Sequence, residues 1–517
     1  MKRHFTRWPV TEGYPDRLSY GPGDTVEMRC SSRAATFAVE VARIGRERVV
    51  VWRRDAIPGS EQTVPDRAFE VGCGWPVTFS FGVDPAWPSG FYEVTFRADG
   101  ETGRTATSEA CFVVRPTPGA PTAKAVLALA TNTYNAYNQW GGGCLYTDQV
   151  RVSFDRPFER GYVRRPAAPY EVAYDGRMAS LPEEPDVEHV ALQHYLTDND
   201  YPLWCASGGW HSWERRFVRW AETVGLPLDY VINSDLEFHP DALAGHQLLL
   251  SVGHDEYWSW GMRDTANAFV DAGGSWAIFS GNTSVWQVRY EDDGRTMVCY
   301  KGRALAEDPV SGTDKHRTLS TMWSLPSTAR PEAETFGLSF TRGGYGRVGL
   351  ATPRSSGGYT IFRPEHPVFA GTGLEYGDVL GGPSRIVGYE LDGCELTLVN
   401  GNPVPTYQDH TPAGLEVLAT APARLISVTD DHCEAPKALW ANYDPPGDLE
   451  GIAWSLFGSA SPENVARIAH NHSVVGVFER GKGRVFHAGT TDWAFGLDAD
   501  RQVQKVTANV IALLGGP

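Results

Sequence analysis

The sequence predicts an α/β protein that begins with an antiparallel β-sandwich and continues as a doubly wound α/β domain. Three observations lead to this prediction: short alternating strands up to about residue 115, a proline-rich segment after them, and strands that alternate with helices beyond it. The chain has 517 residues, which is too long for one ordinary hydrophobic core.

The N-terminal sandwich is predicted from segments rich in β-branched and aromatic residues. These segments are TVEMRC, FAVEVARI, RVVVWRR, VTFSFGV, YEVTFRA and ACFVVRP. Turn sequences such as GPGD, IPGS and ADGE separate them, and short strands at regular spacing are typical of a sandwich. We therefore predict an immunoglobulin-like β-sandwich over residues 1–116. The segment RPTPGAPTAK contains three prolines and predicts a linker at 117–124.

Beyond the linker, residues 125–517 are predicted to form one α/β catalytic domain with a β-rich C-terminal part. Predicted strands are AVLALA (125–130), LDYVIN (228–233), the end of DALAGHQLLLSVG (241–253) and SWAIFSGN (275–282). Predicted helices are SWERRFVRWAETVG (212–225), WSWGMRDTANAFVDAGG (258–274) and RQVQKVTANVIALL (501–514). In the last part TLVNG, LEVLATA and RLISV predict strands, and VVGVFERGKGRVFHAG predicts a hairpin.

Charge and composition exclude several classes of partner. The formal net charge of −17 disfavours binding to nucleic acid or to anionic lipid, because both need basic surfaces. Apolar runs such as AVLALA are too short to span a bilayer, and the first residues lack the apolar core of a signal peptide. The expected compartment is the cytoplasm, where the 8 cysteines would be reduced and mostly buried.

Two motifs with chemical spacing do not support a function. Residues 476–482 match the spacing of a phosphate loop, but Gly483 replaces the required Ser or Thr and a strand follows, so we predict a hairpin turn. A second pattern could gather a metal but has no third close ligand: His470 and His472, with His487 and Asp492.

Polar residues follow three predicted strands, where an open α/β sheet binds its ligands. SVGHDEYWSWG places four reactive side chains, residues 254–257, directly after one strand. Asn282 follows the next strand, and the polar, Gly-rich segment 131–148 follows the first. Capping of helices and ordinary strand-end polarity are the alternative for each segment taken alone. Together the three segments predict a site.

The ordered set of motifs resembles the large (beta) subunit family of N,N-dimethylformamidase, a bacterial iron amidohydrolase. The matching segments are GYPDRLSYGPGDTVEMRCSS, SGFYEVTFRADGE, ATNTYNAYNQW, LDYVINSDLE, SVGHDEYWS, DAGGSWAIFSGN, VGYELDGCELTL, HAGTTDWAFGL and VTANVI. They cover nearly the whole chain in order. The resemblance implies a class I glutamine amidotransferase-like fold for the α/β domain. Gly281 and Asn282 stand where that fold carries its cysteine, so glutaminase chemistry is not expected.

The resemblance also implies a site built around one mononuclear Fe(III). The implied metal ligands are Tyr137, Tyr146 and Glu256. The implied catalytic residues are His254, Asn282 and Glu390. Phenolate and carboxylate are hard oxygen donors that suit Fe(III), and three protein ligands leave a position for chemistry. Of these residues, Glu390 would move a proton between water and the leaving amine, while His254 and Asn282 would bind the carbonyl oxygen.

The predicted function is therefore iron-dependent hydrolysis of a formamide or another small C–N amide bond by metal-polarised attack of water. The chain lacks the lectin-like β domain that the family inserts near its N terminus, so a homo-oligomer and a small partner subunit both stay open. Several of the 17 Trp lie near the predicted site in sequence, which is compatible with a flatter substrate or with core packing: Trp140, Trp204, Trp210, Trp213, Trp258 and Trp286.

Two other functions remain compatible with the sequence. One is a carbohydrate-binding or carbohydrate-modifying protein related to trehalose-utilisation-type domains, without tightly bound iron. The other is a non-catalytic scaffold that keeps the fold. Glu256→Ala separates them from the enzyme, because only the enzyme would lose iron and activity.

Overall fold

The computed structural model describes residues 10–99, 105–165, 201–346, 356–388, 390–427 and 448–516. The protein is a mixed α/β structure that divides into two compact units. Of the described residues, the first unit contains those up to 165, 201–246 and 290–298, and the second contains 247–289 and those from 299 onward.

The first unit begins with eight strands that form two sheets. The strands are β1 Thr11–Pro15, β2 Ser19–Tyr20, β3 Thr25–Ser32, β4 Thr36–Ile44, β5 Arg48–Pro58, β6 Phe79–Gly82, β7 Gly90–Asp99 and β8 Thr105–Val114. One sheet has the order β1-β3-β6 and the other β2-β8-β7-β4-β5. Apolar side chains of both sheets share one buried cluster, including Met28 and Phe81 from the first and Val94 and Phe112 from the second. This packing confirms the predicted sandwich-like arrangement and all six predicted strands.

The rest of the first unit carries a parallel strand pair and short helices. Its strands are β9 Ala125–Leu129, β10 Arg151–Ser153, β11 Leu228–Ile232 and β16 Thr296–Val298. Its helices are α1 Ala68–Val71, α2 Thr131–Tyr137, α3 Glu214–Thr223 and α4 Asn233–Phe238, with a 3₁₀ turn at Leu203–Ala206. The β9 and β11 strands pair in parallel, and β10 pairs with β16 in antiparallel register.

The second unit holds the remaining elements. Its strands are β12 Leu248–His254, β13 Tyr257–Ser259, β14 Ser275–Gly281, β17 Ser339–Tyr345, β18 Tyr359–Ile361, β19 Val379–Leu380, β20 Glu390–Gly393, β21 Leu396–Val399, β22 Asn402–Pro405, β23 Glu416–Ala423, β24 Asn471–Arg480 and β25 Gly483–His487, and β15 Trp286–Glu291 begins in this unit. Its helices are α5 Trp260–Ala272, α6 Ala304–Glu307, α7 Ala333–Phe336, α8 Asp448–Phe457, α9 Pro462–Ala466 and α10 Arg501–Leu514. Its 3₁₀ turns are Lys301–Arg303, His316–Thr318, Pro326–Thr328, Pro367–Phe369 and Trp493–Leu497.

The main sheet of the second unit brings two strand ends together. Its strands follow the order β12-β14-β25-β24-β23-β18-β19, parallel through the first three and antiparallel after them. The parallel register pairs His254 with Gly281, so the carboxyl ends of β12 and β14 are neighbours. The turn between β24 and β25 joins Arg480 to Gly483, which confirms the hairpin predicted in place of a phosphate loop.

Helix α5 begins where the predicted site ends. The Ser259 side chain caps its first turn by accepting a hydrogen bond from the Met262 N–H at 3.2 Å, and the helix ends at Gly273, whose φ is 120°. Because the cap and the stop signal are local, the sequence predicts both ends of this helix within two residues.

Other predictions have mixed outcomes. RLISV was predicted as a strand, but Arg424 forms only an isolated bridge with Tyr345, and Leu425–Ser427 carry no strand; residue 428 lies outside the described residues. All seven cysteines among the described residues are buried. No helix in the described part of the chain is long and apolar enough to cross a membrane.

Two predictions about the domains stay predictions. They are the domain bounds, 1–116, 117–124 and 125–517, and the glutamine amidotransferase-like fold.

Candidate active site

The four polar residues at the carboxyl end of β12, 254–257, are all buried. His254 is the last residue of that strand, and Asp255, Glu256 and Tyr257 continue the chain toward β13. Two backbone hydrogen bonds secure this corner: the Ser284 N–H donates to the Asp255 carbonyl at 2.8 Å, and the Trp286 N–H donates to the Glu256 carbonyl at 3.1 Å. Burial of three ionisable groups in sequence is costly unless they compensate one another or serve a ligand.

The imidazole of His254 lies between two carboxylates of the second unit. Its Nε2 is 2.9 Å from Glu390 Oε2 and 3.3 Å from Glu256 Oε2. Burial alone lowers the pKa of His254, but the charge of Glu390 and the hydrogen bonds of both carboxylates outweigh it and raise this pKa well above its ordinary value. The two carboxylates therefore favour the protonated form of this imidazole.

Glu256 is oriented by an aromatic donor. The indole Nε1 of Trp286 donates a hydrogen bond to Glu256 Oε1 at 2.8 Å, while Oε2 faces His254. Both oxygens of the carboxylate are thus directed by fixed neighbours. Such orientation is what a metal ligand or a catalytic carboxylate needs.

Asn282 occupies the turn directly after β14 in a strained conformation. Its φ is 51°, in the left-handed region, and its side chain is buried with Nδ2 3.3 Å from His254 Nε2. Its Oδ1 has no hydrogen-bond partner among the described residues. A strained, buried amide with an unsatisfied oxygen is a feature of ligand-binding positions.

Glu390 reaches the cluster from β20, far along the chain. The Thr491 N–H donates to the Glu390 carbonyl at 3.1 Å and anchors the strand. Asp392, on the same strand, accepts a hydrogen bond from the Thr283 N–H at 3.0 Å, next to Asn282. These bonds tie the strand that carries Glu390 to the turn that carries Asn282.

The histidine pattern of the sequence does not form a metal site. His487 is fully buried and lies 3.3 Å from Asp392, whereas His470 and His472 are exposed. In the described parts of the chain, no group of three or more His, Cys, Asp or Glu is arranged to hold a metal ion.

Replacing Gly281 by alanine should destabilise the protein and displace Asn282. A Cβ at this position would collide with the Glu390 carbonyl oxygen and lie 2.5 Å from the Thr491 amide nitrogen. Both neighbours are backbone atoms that cannot move aside cheaply, so we expect a loss of about 2 kcal/mol or more in the free energy of unfolding. Urea denaturation measures it. Gly82→Ala, where a Cβ would meet nothing within 4 Å, is the control, and equal stability of the two variants would contradict this account.

The two predicted tyrosine ligands lie together in the first unit. Tyr137 is the last residue of α2, and its ring stacks on the ring of Tyr146 with centroids 4.1 Å apart and planes at 14°. The ring of Trp204 lies beside both, 6.0 Å from Tyr137 and 5.2 Å from Tyr146. The Leu145 N–H donates to the Ala136 carbonyl at 3.0 Å, which returns the chain to the helix end.

The structure therefore assembles the predicted site residues in two groups. The second unit brings together His254, Glu256, Asn282 and Glu390, and the first unit brings together Tyr137 and Tyr146. Cys144, which precedes Tyr146 by two residues, is fully buried. Of the tryptophans named from sequence, Trp204 and Trp286 contact predicted ligands; the others are almost fully buried in packing roles: Trp140, Trp210, Trp213 and Trp258.

Sequence reasoning missed other charged residues of the second unit. Lys301 is buried with φ 53°, and its Nζ lies 5.3 Å from the ring centroid of Trp286. Burial raises the pKa of Asp448 to about 6, and this carboxylate accepts a hydrogen bond from the Tyr345 hydroxyl at 2.5 Å. No motif marks these residues, because their proximity to the cluster arises only on folding.

The fold and the cluster define an α/β protein with a buried acid–base site at the carboxyl ends of parallel strands. Two carboxylates, an imidazolium and an amide can transfer protons and bind a carbonyl oxygen. The chain belongs to the family described as N,N-dimethylformamidase beta subunit-like, C-terminal, which it matches over residues 38–507. This membership supports a dimethylformamidase-like function, that of a hydrolase acting on amide bonds.

Solved structures show only limited likeness to the chain. Murine CRIg is 12% identical and covers 21% of this chain and 98% of its own, with a TM-score of 0.15. Spo0M, a sporulation control protein from Bacillus subtilis, is 10% identical and covers 21% of this chain and 50% of its own, with a TM-score of 0.16. At these TM-scores neither bears on function. No curated protein matches the chain.

Proposed function

We propose that this protein is an iron-dependent amidohydrolase that cleaves a formamide or another small linear amide with water. One observation carries the proposal: in a chain of the dimethylformamidase-like family, a buried His254 lies between two carboxylates beside an amide oxygen that has no partner among the described residues. Burying these ionisable groups costs folding free energy, and binding and catalysis at a polar substrate explain best why the protein buries them.

The donor chemistry fits a hard trivalent cation. Tyr137, Tyr146 and Glu256 are the proposed ligands of one Fe(III), and all three offer oxygen. The stacked pair of tyrosines supplies two neighbouring phenols in the first unit, and Trp286 holds Glu256 in one orientation in the second. Bound iron would supply Lewis acidity toward an amide carbonyl or water.

The protein's own residues would carry the proton transfers. Glu390 is proposed to take a proton from the attacking water and to return it to the departing amine nitrogen as the C–N bond breaks. His254, held as an imidazolium by Glu390 and Glu256, donates a hydrogen bond toward the carbonyl oxygen as it gains negative charge. The Asn282 side chain positions the same oxygen or the amide nitrogen, because an amide offers both a donor and an acceptor.

The fold of the α/β domain and the cellular compartment are also proposals. We propose a glutamine amidotransferase-like α/β fold within residues 125–517, which the parallel run β12-β14-β25 supports. The buried, free cysteines of the described residues support a reducing compartment such as the cytoplasm. Trp140, Trp210 and Trp258 are at most 3% exposed, so these three rings offer no face for stacking on a sugar.

Metal analysis with an optical spectrum tests the proposal directly. We expect about one iron per chain and a visible tyrosinate-to-ferric band, which would justify a screen of small amides. Tyr137→Phe should abolish the band, while Tyr230→Phe, at a buried tyrosine of β11, should retain it. A folded wild-type protein that is colourless and takes up no iron would overturn the proposal.

A further inference from the structure

We propose that Arg156 is a positioning residue that fixes the segment between Tyr137 and Tyr146, and with it the spacing of the two phenols. The inference rests on the proposed function only where it concerns iron. The other half of the inference is structural: one guanidinium holds residues 135–146 in place, and this contact lies within the first unit.

Every donor of this guanidinium points at an oxygen of the protein. Nη1 donates to the carbonyls of Asn138 at 2.7 Å and Trp140 at 2.6 Å, with Gly143 at 3.4 Å. Nη2 donates to both the carbonyl and the side-chain oxygen of Asn135, at 3.1 and 3.0 Å. Apart from the Nε bond, all of these acceptors lie on residues 135–143, the chain that runs from α2 toward Tyr146.

Arg156 itself is firmly anchored. Its Nε donates to the Ser153 carbonyl at 2.9 Å, at the end of β10, and β10 pairs with β16. The side chain is 2% exposed. Burial lowers the pKa of Arg156 to about 10, so the group stays cationic at neutral pH. The strand thus presents a fixed positive charge to the loop.

Two of the acceptors, the carbonyls of Asn135 and Asn138, lie at the C-terminal end of a helix. Helix α2 ends at Tyr137, so the carbonyls near its C terminus have no partner within the helix. A cation there also complements the negative end of the helix dipole. Only arginine offers five donors in a planar fork. A lysine ammonium has three donors on one atom, too few for the six oxygens that Arg156 contacts.

This contact controls the geometry of the tyrosine pair. The loop after Tyr137 must turn back so that Leu145 can bond to Ala136, and only then can the ring of Tyr146 stack on that of Tyr137. Without the guanidinium, the loop carbonyls lose their donors and the loop can adopt other paths. The phenol spacing would then vary, which a metal ligand pair does not tolerate.

The test compares Arg156→Lys with Arg263→Lys. Arg263 is equally buried, lies in the second unit and also donates to carbonyls, those of Arg330 and Pro331. Amide hydrogen exchange is measured in both metal-free variants, and iron affinity in both after loading. For Arg156→Lys we expect exchange in residues 135–147 to rise about tenfold or more and iron affinity to fall on the order of tenfold. Arg263→Lys should change neither.

The outcomes separate this inference from the proposed function. Unchanged exchange in residues 135–147 of Arg156→Lys would overturn the positioning role, and so would iron affinity equal to that of wild type. If wild-type protein takes up no iron, the proposed function fails, but the exchange data still decide what Arg156 does. If Arg156→Lys does not fold, Asn135→Ala removes one acceptor of Nη2 and should raise exchange in the same segment. The rise should exceed that caused in its own segment by Asn464→Ala, at a half-buried helix position.

Discussion

Glu256→Gln is expected to abolish iron binding and amide hydrolysis while the protein stays folded. The glutamine keeps the shape of the side chain, and its oxygen can still accept the hydrogen bond from Trp286. It loses the negative charge that a trivalent cation requires and one of the two charges that hold His254 as an imidazolium. We expect iron content to fall to background and kcat/KM to fall on the order of a hundredfold or more.

Glu332→Gln is the matched control for this variant. Glu332 is also fully buried in the second unit, where it accepts hydrogen bonds from Ser324 and Ser339. It should lose stability without losing iron. Iron content and amide hydrolysis of Glu256→Gln equal to those of wild type would rule out Glu256 as a ligand.

Glu390→Gln should separate catalysis from metal binding. Glu390 is proposed to move protons and not to bind iron, so a neutral amide at this position removes the base but leaves the ligand set intact. A general base contributes about 10²- to 10⁴-fold to rate, so kcat should fall by about that factor while the optical band persists. Kinetics with a small formamide and metal analysis of the same sample make the measurement.

The two glutamate variants together show which carboxylate beside His254 is the metal ligand and which is the general base. Both carboxylates lie within 3.3 Å of the same Nε2, so geometry at the histidine does not distinguish a base from a ligand. Retained iron in Glu390→Gln with lost iron in Glu256→Gln supports the proposed roles. Loss of iron in Glu390→Gln would show that Glu390 belongs to the ligand set and that another group serves as base.

Local patterns in the sequence were enough for many elements. The six sandwich strands, the helix Trp260–Ala272 that stops at its glycines, and the β24–β25 hairpin were all predicted from near neighbours along the chain. The strand predicted for RLISV is wrong. Its apolar residues are compatible with a strand, but only Arg424 pairs with another residue, in an isolated bridge to Tyr345. Strand pairing depends on a neighbour that the local pattern does not identify.

The site residues also fall into two sets: those that the sequence predicted, and those whose contacts appear only in the folded structure. The sequence by itself determined that His254, Glu256 and Asn282 follow strands, because strand ends and polar residues are local features, and the family resemblance added the tyrosines and Glu390. Only the tertiary structure decided that Glu390 lies against His254, that Trp286 orients Glu256, and that Arg156 binds the loop carbonyls. These contacts join residues distant in the chain, and their energies depend on burial and direction, which exist only after the chain has folded.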